Sequence, residues 1–134
     1  MELVSIFSCS SANFAASGGG INALNIGIDK VEAERFPAPF GLILIMRFEY
    51  SPGEVGSHEA VVKFIDGDGN MKVEQKVSFT LQQGKKFHQI IAGFNALQIE
   101  KPDSYRFDVI VDNDFKGYWP LEVDRRGSKP QPAF

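Results

Sequence analysis

The chain has 134 residues, of which 43% are hydrophobic and 23% charged, and its formal net charge is −3. This length fits a single domain, since domains most often contain about 100–150 residues. The small negative charge disfavours a general binder of nucleic acids or anionic membranes, which needs an excess of basic residues. The single cysteine, Cys9, has no partner for an internal disulfide, and we therefore expect a reducing, cytoplasmic location.

The N-terminal segment predicts a β-strand and no targeting signal. Its apolar residues 3–9 follow Glu2, where a signal peptide carries positive charge. The longest apolar run, residues 42–46, is far shorter than the ~20 residues that a membrane helix needs. We therefore expect neither a signal peptide nor a membrane anchor.

The next elements are predicted from turn residues and from alternation. Residues 10–20 are small, polar and glycine-rich, which predicts a mobile loop. Apolar residues alternate at 24–28, which predicts a second strand. The prolines of residues 36–39 predict an extended connection, because proline keeps its predecessor out of the helical region. The almost wholly apolar residues 42–48 predict a central strand that is covered on both faces.

The rest of the chain alternates apolar and polar residues with a period of two, which is typical of strands with one buried face. These strands are predicted at residues 59–64, 73–81, 88–99, 105–112 and 119–124. Asp, Asn and Gly at residues 66–70 and 112–114 predict hairpin turns, since these residue types tolerate positive φ angles. Pro120 cannot donate a hydrogen bond to a neighbouring strand, so we expect the last strand to lie at an edge or to be bulged.

Many short strands with one apolar face bury that face only when two sheets pack together. We therefore predict an all-β fold, an immunoglobulin-like or C2-like β-sandwich of about 7–9 mostly antiparallel strands. The predicted domain covers residues 1–124, and residues 125–134 form a basic, proline-containing flexible tail. Tyr105 is predicted to be either a tyrosine corner, with its hydroxyl bonded to the backbone, or an ordinary core tyrosine.

The order of several short motifs resembles that of a known family. These motifs are the early Cys9, INALNIGID at residues 21–29, Phe36-Pro37, Ile45-Met46-Arg47-Phe48, Pro-Gly-Glu at residues 52–54, His58, DGDG at residues 66–69, PDSYRF at residues 102–107 and WPLEV at residues 119–123. Over residues 2–124 the chain is similar to DUF6941, a family of small bacterial proteins of unknown function. It departs from the family at residues 10–20, where members have a shorter, more charged segment. The resemblance implies a bacterial or phage origin and a sandwich fold, and it implies no catalytic or ligand residue.

Two polar turns supply the candidate binding residues. These are Asp66, Asp68, Asn70, Asp112, Asn113 and Asp114. The first turn places side-chain oxygens at alternate positions, as the opening of a calcium loop does. However, Met71 and Val77 occupy the positions where an EF-hand needs Gly and Glu, so a hairpin turn explains the segment without a metal. The second turn could contribute to a cation site only if both turns lie at the same end of the sandwich.

The sequence gives little support to a catalytic or metal site. Zinc needs three or four ligands, whereas the chain offers Cys9, His58 and His88 at wide spacing. No nucleophile elbow accompanies these residues, and a catalytic triad is recognised by its geometry. We therefore predict no catalytic residue, no metal and no cofactor.

The function that the sequence favours is that of a non-enzymatic binding or assembly module. We expect it to contact a protein partner through residues 10–20, the two Asp-rich turns or the strand edges. A Ca²⁺-dependent binding module that uses the Asp-rich turns is the alternative, and a small hydrolase is the least favoured. Nucleic acids and membranes are not expected partners, and a homo-oligomer formed through strand edges is compatible with the sequence.

Overall fold

The computed structural model describes residues 1–16 and 18–126, which form ten β-strands and one 3₁₀ turn at Pro52–Glu54. The strands are β1 (Glu2–Cys9), β2 (Ser11–Phe14), β3 (Ile21–Leu24), β4 (Lys30–Ala33), β5 (Ala38–Glu49), β6 (Gly56–Ile65), β7 (Met71–Leu81), β8 (Phe87–Ile99), β9 (Asp103–Val111) and β10 (Asp114–Arg125). The predicted all-β fold is thus confirmed. No helix in the described ranges has the length and apolarity to cross a bilayer.

The ten strands form two sheets and a separate hairpin. The smaller sheet has the strand order β1-β5-β8, the larger sheet has the order β4-β10-β9-β6-β7, and β2 pairs with β3. The neighbours are antiparallel, apart from β4 and β10, which are parallel. Side chains from both sheets share one apolar core, so the two sheets face each other in a β-sandwich. The immunoglobulin-like or C2-like subtype stays a prediction.

Aromatic rings join the two sheets at the centre of the core. The Phe107 ring on β9 lies 4.8 Å from the Phe64 ring on β6, centroid to centroid. Across the core, the Phe107 ring lies 5.0 Å from the Phe94 ring on β8, in an edge-to-face arrangement. Such pairs contribute about 0.5–1.5 kcal/mol beyond the burial of their area. The Phe94–Phe107 pair therefore contributes to the packing of one sheet on the other.

Strand β5 is covered on both faces, as its apolar sequence predicts. Leu44 and Met46 point into the core and are fully buried. Ile45 points to the opposite face, between Phe7 of β1 and Ile91 of β8, and is only 2% exposed. The β2–β3 hairpin lies over this outer face, where its residues and Ile45 line the same cavity. The hairpin is thus a third layer on the smaller sheet.

The prediction of a mobile loop throughout residues 10–20 is wrong. Residues Ser11–Phe14 form strand β2, which pairs antiparallel with Ile21–Leu24. The chain reverses between them with the help of Gly18 and Gly19, both at φ +81°, a backbone conformation that favours glycine. The glycines therefore serve hairpin geometry.

The alternation at residues 24–28 does not correspond to one strand. Asn25, at φ 53°, and Gly27, at φ 92°, turn the chain after β3. A polar–apolar alternation therefore persists through a turn, and it leaves two apolar side chains, Leu24 and Ile26, in solvent. The strand predicted there ends at Leu24, four residues earlier than expected.

Strand β4 was not predicted, and with β2 it raises the number of strands from the expected 7–9 to ten. It has only four residues, and two of them are charged. It is a strand because its backbone pairs with residues 122–125 of β10, about ninety positions away in sequence. Such a short segment carries no local pattern that distinguishes it from a loop.

The expectation that the last strand lies at an edge is wrong, because β10 lies between β4 and β9; β10 is bulged, but its register shift is between Phe115 and Gly117 and not at Pro120. Pro120 is opposite Arg106 of β9, whereas β4 pairs with β10 only from Glu122 onward. Because β4 does not pair with Pro120, the lack of an N–H at this residue costs no hydrogen bond to β4.

The carbonyl oxygen of Ile28 accepts two side-chain hydrogen bonds. Trp119 Nε1 donates to it at 2.8 Å, and Ser8 Oγ donates to it at 2.5 Å. This carbonyl links β1 to β10 and hence one sheet to the other.

The C-terminal end of the described chain is still part of the sheet. Arg125 is the last residue of β10, and the Arg126 N–H donates to the Ala33 carbonyl oxygen at 2.8 Å. The remainder of the predicted tail, residues 127–134, lies outside the described residues. The domain boundary at residue 124 stays a prediction.

Tyr105 forms the backbone contact of a tyrosine corner. The side chain is buried, and its hydroxyl donates to the Lys101 carbonyl oxygen at 2.8 Å, four residues earlier in the chain. This bond fixes the connection between β8 and β9 against the core. The tyrosine-corner alternative is confirmed.

Removal of this hydroxyl should destabilise the protein measurably. We expect Tyr105→Phe to lower the free energy of unfolding by about 1 kcal/mol, because one internal hydrogen bond is lost while the ring stays in place. The matched control is Tyr118→Phe, since Tyr118 is exposed and should change stability by less than about 0.5 kcal/mol. Urea denaturation measures both, and equal effects of the two substitutions would contradict the assignment.

Candidate functional site

The two Asp-rich turns lie at opposite ends of the larger sheet. Residues 66–70 follow the last residue of β6, whereas the Asp112 N–H donates to the Glu59 carbonyl oxygen at 3.1 Å, near the start of β6. Seven residues of extended strand therefore separate Asp66 from the level of Asp112, which is about 23 Å. The two turns are not brought together, so a joint cation site is not formed.

The carboxylate of Asp66 holds the first turn together. It is buried, and its Oδ1 accepts hydrogen bonds from the backbone N–H groups of Asn70 at 2.9 Å and Asp68 at 3.0 Å. The Asn70 bond is the main cause that lowers the pKa of Asp66. Lys72 Nζ lies 3.5 Å from its second oxygen. The carboxylate thus acts as a structural element of the hairpin.

The other carboxylates near this turn are also engaged. Asp68 Oδ2 lies 3.4 Å from Lys101 Nζ, and Asp103 Oδ2 accepts from the Gly67 N–H at 3.0 Å. A Cβ atom at Gly67 would stand 2.3 Å from Asp103 Oδ1, so a larger residue at this position would displace the Asp103 carboxylate. Within the described ranges, no three His, Cys, Asp or Glu side chains are grouped so that they could hold a metal ion.

The second turn is a two-residue reversal. Asp112 and Asn113 adopt φ angles of 50° and 67°, as expected for a tight hairpin between β9 and β10. The Asp114 carboxylate lies 3.1 Å from Lys116 Nζ. The Asp112 carboxylate pairs with His58 Nδ1 and also accepts from the Glu59 N–H at 3.3 Å. This turn therefore contacts the His58 imidazole through the Asp112 carboxylate.

Two hydrogen-bond acceptors favour the cationic form of His58. Its Nδ1–H donates to the Asp112 carboxylate, and its Nε2–H donates to the Glu54 carbonyl oxygen at 2.6 Å. Neither partner can donate a hydrogen bond, so both ring nitrogens must carry a proton for both bonds to form. The Asp112 hydrogen bond is the main cause that raises the pKa of His58, and it lowers the pKa of Asp112 in turn. The surroundings of the ring thus stabilise its protonated form.

His88 has the opposite character. Burial is the main cause that lowers its pKa, and the nearby charge of Lys85 adds to this effect. Its ring stacks on Phe79 at 5.2 Å between centroids, and the His58 ring stacks on the same phenylalanine at 5.7 Å. Each imidazole therefore contributes to the packing at this end of the sandwich.

The pH dependence of stability should report the state of His58. Its folded pKa lies above its ordinary value of 6.5, so its contribution is complete below about pH 6.5 and is lost as the pH rises through the folded pKa. We therefore expect the free energy of unfolding to fall above pH 6.5 in the wild type and to stay flat in His58→Gln. His88 acts only below pH 6.5, since its folded pKa is lowered.

Nuclear magnetic resonance provides a second readout for the two imidazoles. A titration of the ring Cε1 protons should give a higher pKa for His58 than for His88. The reverse order, or an unchanged slope above pH 6.5 in His58→Gln, would show that the Asp112 pair does not control the titration.

Cys9 lacks the surroundings of a catalytic nucleophile. Its side chain is fully buried, and burial is the main cause that raises the pKa of the thiol. It is opposite Ile43 on β5, whereas His88 is opposite Phe48. Five residues of strand separate these levels, which is about 17 Å. Cys9 and His88 therefore do not form a pair.

A groove between the hairpin and the smaller sheet was not predicted, and we call it the hairpin groove. It comprises two cavities, of about 480 and 680 Å³, which share Gln89. The first is lined by Phe14, Ala15, Gly18–Gly20, Arg47, Tyr50, Gln82, Lys85, Phe87, His88 and Gln89. The second is lined by Phe7, Ser11, Asn13, Ile21–Leu24, Ile26, Ile45 and Gln89. The sequence signals that mark this groove are the glycine turn after Phe14 and the single Arg47 that interrupts the apolar run of β5.

Three large apolar side chains on and beside the hairpin remain in solvent. Phe14 is 60% exposed, Leu24 is 67% exposed and Ile26 is 61% exposed. All three also line the hairpin groove. Scattered exposed apolar residues are ordinary, whereas exposed apolar residues concentrated around one concave surface are typical of an interaction site.

The comparisons with known proteins bear on the family and leave activity open. A family model described as a family of unknown function (DUF6941) matches residues 4–124. This match confirms the resemblance that the sequence motifs indicate. No curated protein and no solved structure matches the chain significantly.

Proposed function

The chain belongs to DUF6941, a family of unknown function, and we propose that it is a non-enzymatic binding module that holds a protein partner at the hairpin groove. The observation that carries this proposal is the exposure of Phe14, Leu24 and Ile26 around one groove. Burial of such side chains against a partner removes apolar area from water, at about 25 cal/mol per Å². A protein contact at the hairpin groove would therefore be favourable.

The position of the hairpin supports the same proposal. Strands β2 and β3 pair only with each other and belong to neither sheet. The core is built by the two sheets, and no residue of β2 or β3 belongs to it. A rigid scaffold that carries a separate element with exposed side chains is a common arrangement in binding proteins.

The other surfaces considered from the sequence receive less support. The carboxylates of the Asp-rich turns already pair with backbone N–H groups, lysines and His58. This pairing argues against a Ca²⁺-dependent module. The edge strand β7 exposes alternating charges at Lys72, Glu74 and Lys76, and charged edges discourage strand pairing. These features favour the hairpin groove over the turns and over this edge.

Site-specific photo-crosslinking in the native host tests the proposal. A benzophenone amino acid at Leu24 should form a covalent adduct with a discrete protein, because this side chain would be buried in the complex. The same probe at Glu74, which is exposed on the larger sheet, is the matched control and should give no such adduct. The captured protein is identified by mass spectrometry and then purified.

Reconstitution with purified components decides whether the adduct reflects specific binding. The double variant Phe14→Ser, Leu24→Ser should weaken the affinity at least tenfold, since two apolar anchors are lost. The Glu74→Ser control should leave the affinity unchanged. Adducts at position 24 that match those at position 74, or an affinity that is insensitive to the hairpin substitutions, would contradict the proposal.

A further inference from the structure

Arg47 is a cation without a counter-ion in the described part of the chain. Its half-buried side chain lies on the outer face of β5, between Ser5 of β1 and Gln89 of β8, and neither neighbour is charged. Its Cζ lies 4.2 Å from the centroid of the Phe87 ring, in a cation–π contact. Within the described ranges, the salt bridges join other residues, and no carboxylate lies at ion-pair distance from Arg47.

The cavity around Arg47 is lined without any acidic side chain. Lys85 contributes a second positive charge, Gln82 and Gln89 contribute amides, and Phe14 belongs to the same lining. Glu49, two residues along β5, lines a neighbouring cavity with Lys85 and forms no ion pair with Arg47. The Arg47 end of the hairpin groove therefore combines positive charge, amide groups and aromatic rings.

This combination fits a carboxylate that is carried by an apolar segment. Partial burial of a charge without a counter-ion is unfavourable, and the attraction of an incoming carboxylate would offset part of that penalty. A guanidinium that stacks on a ring keeps its edge N–H groups available, and these bind carboxylates in a bidentate manner. The net charge of −3 disfavours long polyanions such as nucleic acids, and the phenylalanines favour a peptide over free phosphate.

We propose that the Arg47 end of the hairpin groove binds a glutamate or aspartate side chain of an acidic, apolar-flanked segment of the partner protein. This inference rests on the proposed function and specifies the chemistry of the partner. Arg47 supplies the ion pair, Lys85 adds long-range attraction, and Phe14 and Phe87 pack against the apolar neighbours of the carboxylate.

A titration followed by ¹H–¹⁵N spectra of the full chain tests the inference. The probe is the peptide acetyl-Glu-Leu-Glu-amide, and its neutral counterpart is acetyl-Gln-Leu-Gln-amide. We expect the acidic peptide to bind at millimolar concentration and to shift the Arg47 side-chain Nε–H resonance together with backbone amides of residues 85–89. The neutral peptide should bind at least tenfold more weakly, since charge-assisted hydrogen bonds are lost. Added salt should weaken the binding of the acidic peptide, because salt screens the attraction between charges.

Variants separate Arg47 from general electrostatics. Arg47→Met keeps an apolar side chain against Phe87 and should weaken the affinity for the acidic peptide about tenfold. Arg47→Lys should have an intermediate affinity, because it keeps the charge and loses the planar set of guanidinium N–H donors. Lys76→Ala, which removes an exposed charge from the larger sheet, is the matched control and should leave binding unchanged. Unperturbed hairpin amides in Arg47→Met show that the fold is retained.

The outcomes distinguish this inference from the proposed function. The inference is overturned if the acidic peptide causes no shifts, if the neutral peptide binds equally, if Lys76→Ala has the same effect as Arg47→Met, or if inorganic phosphate binds this site more tightly than the peptide. If crosslinking at position 24 still captures a partner whose affinity is unchanged by Arg47→Met, the inference fails and the binding function stands. If a benzophenone at position 24 of the otherwise wild-type chain captures no protein, both the proposed function and this inference fail.

Discussion

Burial of strand β5 on both of its faces is the constraint on which the rest of the structure depends. The face with Leu44 and Met46 closes the core against the larger sheet, while Ile45 on the other face lies beneath the β2–β3 hairpin. The first contact makes a sandwich from two sheets that are each apolar on one side. The second fixes a third layer on that sandwich, and the hairpin groove exists because this layer is present.

The pattern of apolar residues was sufficient to predict seven of the ten strands, β1 and β5 to β10, and the two-sheet packing. It predicts β6 to β10 well because each strand is long and has one wet face, and it predicts β5 because an uninterrupted apolar run needs cover on both sides. It does not predict β2, β3 and β4, which have four residues each and are ordered by their partner strands. The turn at Asn25 and Gly27 was missed because the apolar spacing continues through it.

The candidate site shows the same division between local and distant information. The residue types of the two Asp-rich turns predict correctly that both are hairpins. They do not predict that the Asp66 carboxylate bonds to the backbone of its own turn, or that the Asp112 carboxylate pairs with His58. The hairpin groove is formed by side chains of β1, β5, β8 and the hairpin. The spacing of residues along the sequence does not predict which of these side chains contact each other. Besides the glycine turn after Phe14, Arg47 is a local clue, since a cation within an apolar strand requires some compensation.

A comparison of three alanine substitutions tests the two-sided burial of β5 most directly. Leu44→Ala on the core face and Ile45→Ala on the hairpin face should each lower the free energy of unfolding by about 2–5 kcal/mol, as expected for buried aliphatic side chains. Ile26→Ala, on an exposed apolar residue, should change it by less than about 0.5 kcal/mol. If Ile45→Ala is as mild as Ile26→Ala, the hairpin does not cover β5, and the groove that the proposed function requires is not a fixed part of the fold.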